Sequence, residues 1–312
     1  MKILYIRLTV AILVTLPIPI VAQTIYGHRF VPTSGNVGIY SIDPATGVAT
    51  LITDTGVTGY ASPAAAFDSV GRRYFFVSNG GELFTVNVAS GGVTHVTGSM
   101  AELQYDPLTA KLYGHRFVPT SGSVGIYSID PATGAATLIT DTAVTGYVSP
   151  AAAFDPVGRR YFFVSNVGEL FTVNVASGGV THVTGSMAEL QYDPLTANLY
   201  GHRFVPTSGN VGIYSIDPAT GTATLITDTG VTGYASPAAA FDPVGRRYFF
   251  VSNTGQLFTV NVANGTFSHV TGALAEMQYA LPSVESIPLF DDLTVLLLAI
   301  TMLAAGLLRS SR

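Results

Sequence analysis

Between residues 24 and 280 the apolar positions fall into short runs closed by clusters of Gly, Pro, Asn, Asp or Ser. Runs of this length, rich in Val, Ile, Tyr, Phe and Thr, predict β-strands. Residues 64–97 show the pattern in full: 64–68, 73–78, 82–88 and 93–97 read as four successive strands. The turns between them are Ser69-Val70-Gly71, Asn79-Gly80-Gly81 and Ser90-Gly91-Gly92. Polar and apolar residues alternate only weakly along these strands. That is expected where both faces of a sheet pack on neighbours.

The pattern then repeats. Gly27, Gly114 and Gly201 each open the text GHRFVPTSG, so three nearly verbatim copies, 87 residues apart, fill the chain to about Tyr279. Each copy divides again. FTVNVASGGVTHVTG at 84–98 aligns with YSIDPATGVATLITD at 40–54, with aromatic residue, strand, Gly turn and second strand coinciding. Six units of about 38 and 49 residues by turns result, close to the ~40–50 of propeller blades. In the longer units the last turn is Asp-Pro-Ala-Thr-Gly. Pro presets φ there, Asp bonds its own backbone and Gly takes the left-handed position.

The two ends of the repeat carry the most information. The first copy begins at the second strand of a blade, with no inner strand before it. The last ends at 275–279 with an inner strand and nothing after it. Together the fragments make one blade, so the last strand closes a ring and leaves only short, protected edges. The expectation is an all-β, six-bladed β-propeller over residues 23–281, followed by a C-terminal transmembrane helix. The blades resemble the NHL/YVTN-type bacterial propeller repeats in pattern, a resemblance that carries no catalytic motif.

Both flanks point to export. Residues 1–22 combine Lys2 and Arg7, an apolar stretch over 8–16 and a small-residue cleavage site at Ile20-Val21-Ala22, the parts of a signal peptide. The alternative, a retained anchor, has too short an apolar run to span comfortably. Residues 282–312 read as a linker and membrane segment. Residues 293–308 carry no charge and Arg309 and Arg312 follow, which places the arginines inside and the propeller outside. As helix the segment is about 24 Å long, slightly short of a ~30 Å hydrocarbon core. Ile287-Pro288-Leu289-Phe290, the apolar run and the terminal arginines together resemble the bacterial IPTL-type (PEP-like) C-terminal sorting signals. Leu289-Phe290 stands where Thr-Leu is usual, and Asp291-Asp292 replaces the usual Ser-x-Trp. The resemblance implies retention in the cell envelope, with a sorting protease as partner and surface release after processing. The simpler alternative is a single-span anchor.

Composition narrows the chemistry. Charged residues are 11% and the formal charge is −5, with scattered Arg and Lys, so no nucleic-acid partner is expected. The absence of cysteine excludes disulfides and thiolate metal sites, and an exported chain without them fits a bacterial envelope. No nucleophile–base–acid set or phosphate loop of recognised spacing occurs. Because strands alternate in direction, the b–c and d–a connections share one rim, and on the long blades they are the longest. Asp54, Tyr60, Asp141, Tyr147, Asp228 and Tyr234 are the binding candidates there. Exposed Tyr rings beside hydroxyls suit a glycan or peptide ligand, and the alternative is that each Tyr plugs the gap between blades.

A second candidate lies on the axis. Glu102, Glu189 and Glu276 fall on innermost strands, and three converging carboxylates are the donor set of a hard cation such as Ca²⁺. The alternative pairs them with Arg29, Arg116 or Arg203. Ala64, Ala151 and Ala238 hold the matching sites of the short blades. His28, His115, His202 and His95, His182, His269 are expected to be packed or surface residues, too far from the axis to share zinc. Gln256 replaces Glu82 and Glu169 in the third copy. The expected function is a non-enzymatic binding module at the cell envelope. The alternative, an extracytoplasmic lactonase-like hydrolase with a channel cation, rests on fold analogy alone.

Overall fold

In a computed structural model the described residues are 24–280, apart from 59–60, 97, 99, 101, 147, 184–186, 188, 233–234 and 271–275. The expected signal peptide and the expected C-terminal membrane segment lie outside them. The described residues contain 24 strands and no helix.

Six four-stranded antiparallel sheets form. Blade I holds β1 (Thr24–Phe30), β2 (Asn36–Ile42) and β3 (Ala49–Thr58). Blade II is β4 (Ala61–Asp68), β5 (Arg73–Ser78), β6 (Leu83–Asn87) and β7 (Val93–Val96). Blade III is β8 (Glu102–Asp106), β9 (Lys111–Phe117), β10 (Ser123–Ile129) and β11 (Ala136–Thr145). Blade IV is β12 (Val148–Asp155), β13 (Arg160–Ser165), β14 (Leu170–Asn174) and β15 (Val180–Val183). Blade V is β16 (Glu189–Asp193), β17 (Asn198–Phe204), β18 (Asn210–Ile216) and β19 (Ala223–Thr232). Blade VI is β20 (Ala235–Asp242), β21 (Arg247–Ser252), β22 (Leu257–Asn261) and β23 (Phe267–Val270). The last strand, β24 (Glu276–Ala280), returns to blade I and pairs with β1, Ile25 opposite Tyr279 and His28 opposite Glu276. The closure expected from the chain ends is what the fold uses. Innermost strands β24, β4, β8, β12, β16 and β20 contact one another in turn around the axis.

The core lies between blades rather than within any one of them, one apolar cluster per seam. The run RYFFVS explains why alternation is weak. On β5, Tyr74 and Phe76 enter the seam with blade I, while Phe75 and Val77 enter the seam with blade III. Each such ring, fully buried, contributes on the order of 1.5–3 kcal/mol.

Buried polar groups pin the ends of the innermost strands. Asp68 accepts N–H bonds from Val70 and Gly71 and takes Arg73 at 2.7 and 3.0 Å, and Asp155 and Asp242 repeat the pattern. Asp106 and Asp193 instead bind the next blade's Arg159 and Arg246, which also donate to Tyr113 and Tyr200 at 2.6 and 2.7 Å. At the third such seam Ala280 stands where the aspartates would be, so Arg72 meets no carboxylate there among the described residues. Ala280→Asp is expected to add this ion pair and raise stability by about 0.5–1 kcal/mol, with the gain absent in an Arg72→Ala background. Urea unfolding of the double-mutant cycle measures it.

The outer strands of the long blades carry a bulge. Gly38 pairs with Asp54 but Asn36 pairs with Thr58, so β3 inserts two residues. The turn-over point is left-handed, at Gly56 (φ 71°) and Gly230 (φ 68°), but at Ala143 (φ 58°) in the middle copy. A Cβ in this region costs about 1–2 kcal/mol. Ala143→Gly is therefore expected to stabilise by roughly 1 kcal/mol, and Gly230→Ala to destabilise by a similar amount, both read from the denaturant midpoint.

Candidate functional site

The connections segregate to two faces. The a–b and c–d turns lie on one, and the b–c and d–a connections on the other. Innermost strands β8 and β16 begin at the second, loop-rich face with Glu102 and Glu189, and β24 begins there with Glu276. Close approach of strand b fixes this start. A Cβ on Gly114 would strike the backbone carbonyl of Glu102, and one on Gly201 that of Glu189, so only glycine lets the strands meet there.

Each glutamate sits directly across from a histidine of strand b: Glu102 opposite His115, Glu189 opposite His202, Glu276 opposite His28. Opposed residues share a sheet face. Arg116, one position on from His115, points to the other face, where its guanidinium lies 4.5 Å from the Tyr127 ring centre. The register thus sets each glutamate opposite a histidine rather than opposite the arginine of the alternative reading. The histidine Nδ1 atoms of His28, His115 and His202 lie 3.0 Å from the hydroxyls of Tyr74, Tyr161 and Tyr248 in the following blade.

Glu102 and Glu189 are each 3% exposed, and the three histidines 1%. Oε2 of both glutamates and Nε2 of all three histidines are buried with no hydrogen-bond partner among the described residues. Burial pushes both glutamate carboxyls well above their ordinary value, and for Glu102 the nearby Glu189 carboxylate adds to the effect. Burial also lowers the histidines to about 4. At neutral pH the cluster thus holds neutral imidazoles beside carboxyls reluctant to ionise. Buried polar atoms without partners are uncommon in native proteins, and here they recur by symmetry at one end of the channel. Glu276 joins through its backbone position, its side chain lying outside the described residues.

Among the rim candidates, Asp54, Asp141 and Asp228 sit on strands rather than in the d–a connection. Their carboxylates are already engaged. Asp54 accepts from Ser34 Oγ at 2.5 Å, Asn36 Nδ2 at 2.9 Å and the Gly56 N–H at 3.1 Å, which holds its pKa below the usual range. Asp141 and Asp228 repeat the arrangement, so these residues brace the bulge. Tyr60, Tyr147 and Tyr234 lie outside the described residues. His95 and His182 are on the exposed outer strands, 3.6 and 3.7 Å from Glu82 and Glu169.

Residue patterns alone did not single out Tyr74, Tyr161 and Tyr248 as partners of the buried histidines. They lie in a different blade, 46 residues along the chain from the histidines they bind.

No family model matches the chain, and no curated protein matches its sequence. Solved structures do match its shape. TolB from Acinetobacter baumannii aligns with a TM-score of 0.63 at 14% identity over 83% of this chain and 67% of that one. A chain of a nidogen/laminin complex aligns at 0.64 and 13%, over 83% and 99%. An oligogalacturonate lyase in complex with manganese aligns at 0.52 and 18%, over 77% and 72%. At these identities the likeness establishes the six-bladed propeller fold and nothing finer.

The buried groups make stability depend on pH in two opposed ways. A histidine near 4 when folded and 6.5 when unfolded contributes fully above pH 6.5 and loses its contribution as pH falls through 4. The loss is on the order of 3 kcal/mol each, so three together approach the whole stability of a domain. The glutamates act oppositely, since a raised carboxyl pKa costs stability as pH rises above its ordinary value of 4.5. Urea unfolding of Glu102→Gln/Glu189→Gln is expected to give a more stable protein at pH 8 and no gain at pH 4. Equal effects at both pH values would contradict the assignment.

Proposed function

We propose that this chain is an exported propeller, held at the cell envelope by its C-terminal segment, that acts as a binding module rather than an enzyme. Its ligand site is the channel mouth on the loop-rich face. The observation that carries this reading is the set of buried glutamate Oε2 atoms without partners, repeated around the axis on innermost strands. The rim aspartates support it by contrast, because their hydrogen-bonding capacity is taken up by the bulge. A ligand that brings positive charge answers both the missing partners and the suppressed ionisation. A hard divalent cation such as Ca²⁺ fits, since carboxylate oxygens are its preferred donors. Glu102, Glu189 and Glu276 would hold it, with the histidine–tyrosine pairs fixing the wall behind them.

Terbium luminescence on the full-length protein tests this directly, because Tyr74, Tyr161 and Tyr248 stand close enough to the cluster to sensitise a bound lanthanide. The expected result is a saturable signal, competed by Ca²⁺ and lost in Glu102→Gln/Glu189→Gln/Glu276→Gln. A signal unchanged in that variant, or none at all, overturns the cation reading. The same carboxylates favour one second reading, a cation-dependent hydrolase of esters or lactones. It requires hydrolysis that rises with cation occupancy and disappears in the same variant while the fold is retained.

A further inference from the structure

The face opposite the proposed ligand site has its own pattern. Five a–b turns are described, and every one presents a large aliphatic side chain to solvent: Val70, Leu108, Val157, Leu195 and Val244, each 62–84% exposed. The turn reads Asp-x-Val-Gly-Arg-Arg in the short blades and Asp-Pro-Leu-Thr-Ala in the long ones, and the aliphatic residue is kept where the residues after it differ. A turn tip asks for no apolar residue, and polar or glycine residues are usual there. Because a–b turns join the two innermost strands, the five side chains ring the channel opening rather than scatter over the rim. A ring of exposed aliphatic groups around one opening is a candidate interaction surface.

Chain direction says what meets it. β24 runs from the loop-rich face to this one and ends at Ala280, in the place of the sixth a–b turn. β1 starts at the same face with Thr24. Both flanking apolar segments therefore leave the propeller here. Only residues 281–292 separate Ala280 from the uncharged run 293–308. Twelve residues span about 40 Å at full stretch and roughly 20 Å as a relaxed coil. The exposed Arg72 and Lys111 flank the ring and suit anionic headgroups, while Asp43, Asp130 and Asp217 lie farther out on the c–d turns.

We propose that this turn face docks on the lipid bilayer, with the aliphatic ring entering the headgroup layer and the ligand site pointing away from the membrane. The inference rests on the envelope-held reading above. Shallow apolar insertion beside a basic flank is how proteins lie on a membrane without crossing it, and the tail supplies the second attachment.

The chain has no cysteine, so single-cysteine variants can be labelled cleanly. Val157→Cys and Leu195→Cys report on the turn face. Val167→Cys, 72% exposed in a b–c turn of the opposite face, is the matched control. Each full-length variant carries an environment-sensitive fluorophore and is reconstituted into phosphatidylethanolamine/phosphatidylglycerol vesicles containing nitroxide-labelled lipid. The expected result is loss of fluorescence at 157 and 195 with none at 167. Protein in the vesicle fraction with no quenching at 157 and 195, or equal quenching at all three, overturns the docking while leaving attachment intact. Protein absent from the vesicle fraction overturns the attachment, and the docking with it.

Discussion

The pairing of β24 with β1 is the constraint on which everything else depends. It joins strands separated by roughly 250 residues, an entropic cost of about 5 kcal/mol for closing the loop. The hydrogen bonds of that pair and the apolar clusters on either side of blade I offset the cost. Without it, blade I would be three strands with an open inner edge, and blade VI would lose its neighbour. With it, all six innermost strands face one axis, and Glu276 stands beside His28 as Glu102 stands beside His115.

Closure also divides the molecule into two faces with opposite characters. On the turn face, buried aspartates at the ends of the innermost strands are matched by arginines, backbone N–H groups and tyrosine hydroxyls. Two of the three cross-blade seams there carry an Arg–Asp pair, and the third has Ala280 in place of the aspartate. On the loop-rich face β8 and β16 begin with glutamates whose Oε2 atoms have no partner among the described residues, opposite histidines of the next strand held neutral by burial. A buried carboxyl oxygen without a partner is a cost to folding. The cost recurs at Glu102 and Glu189, and it is there that the proposed ligand site is placed.

Much of this was legible in the residues. Blade number and closure followed from periodicity and from counting strands at the two ends, because each strand is a local run with local turns. The position of Glu102, Glu189 and Glu276 on the axis followed from strand order. What stayed hidden depends on neighbouring blades. His115 meets Tyr161 and Arg159 meets Asp106 across 46 and 53 residues, separations that leave no local signature. Asp54 reads as a loop residue in the sequence but lies on β3, because a two-residue bulge looks, residue by residue, like a loop. Near-identity of the copies made departures the most informative positions: Ala143 at a left-handed site and Ala280 at a seam built for aspartate.

The most direct test of the closed ring is a disulfide across it. Thr24 and Ala280 are directly opposed on β1 and β24, a placement whose Cα separation falls within disulfide range. In Thr24→Cys/Ala280→Cys, the only thiols in the chain, mild oxidation of the monomer should form the bond within one molecule and raise the unfolding midpoint, with the gain reversed by reductant. Thiols that stay free, or that join only different molecules, would contradict the closure and the three-fold site built on it.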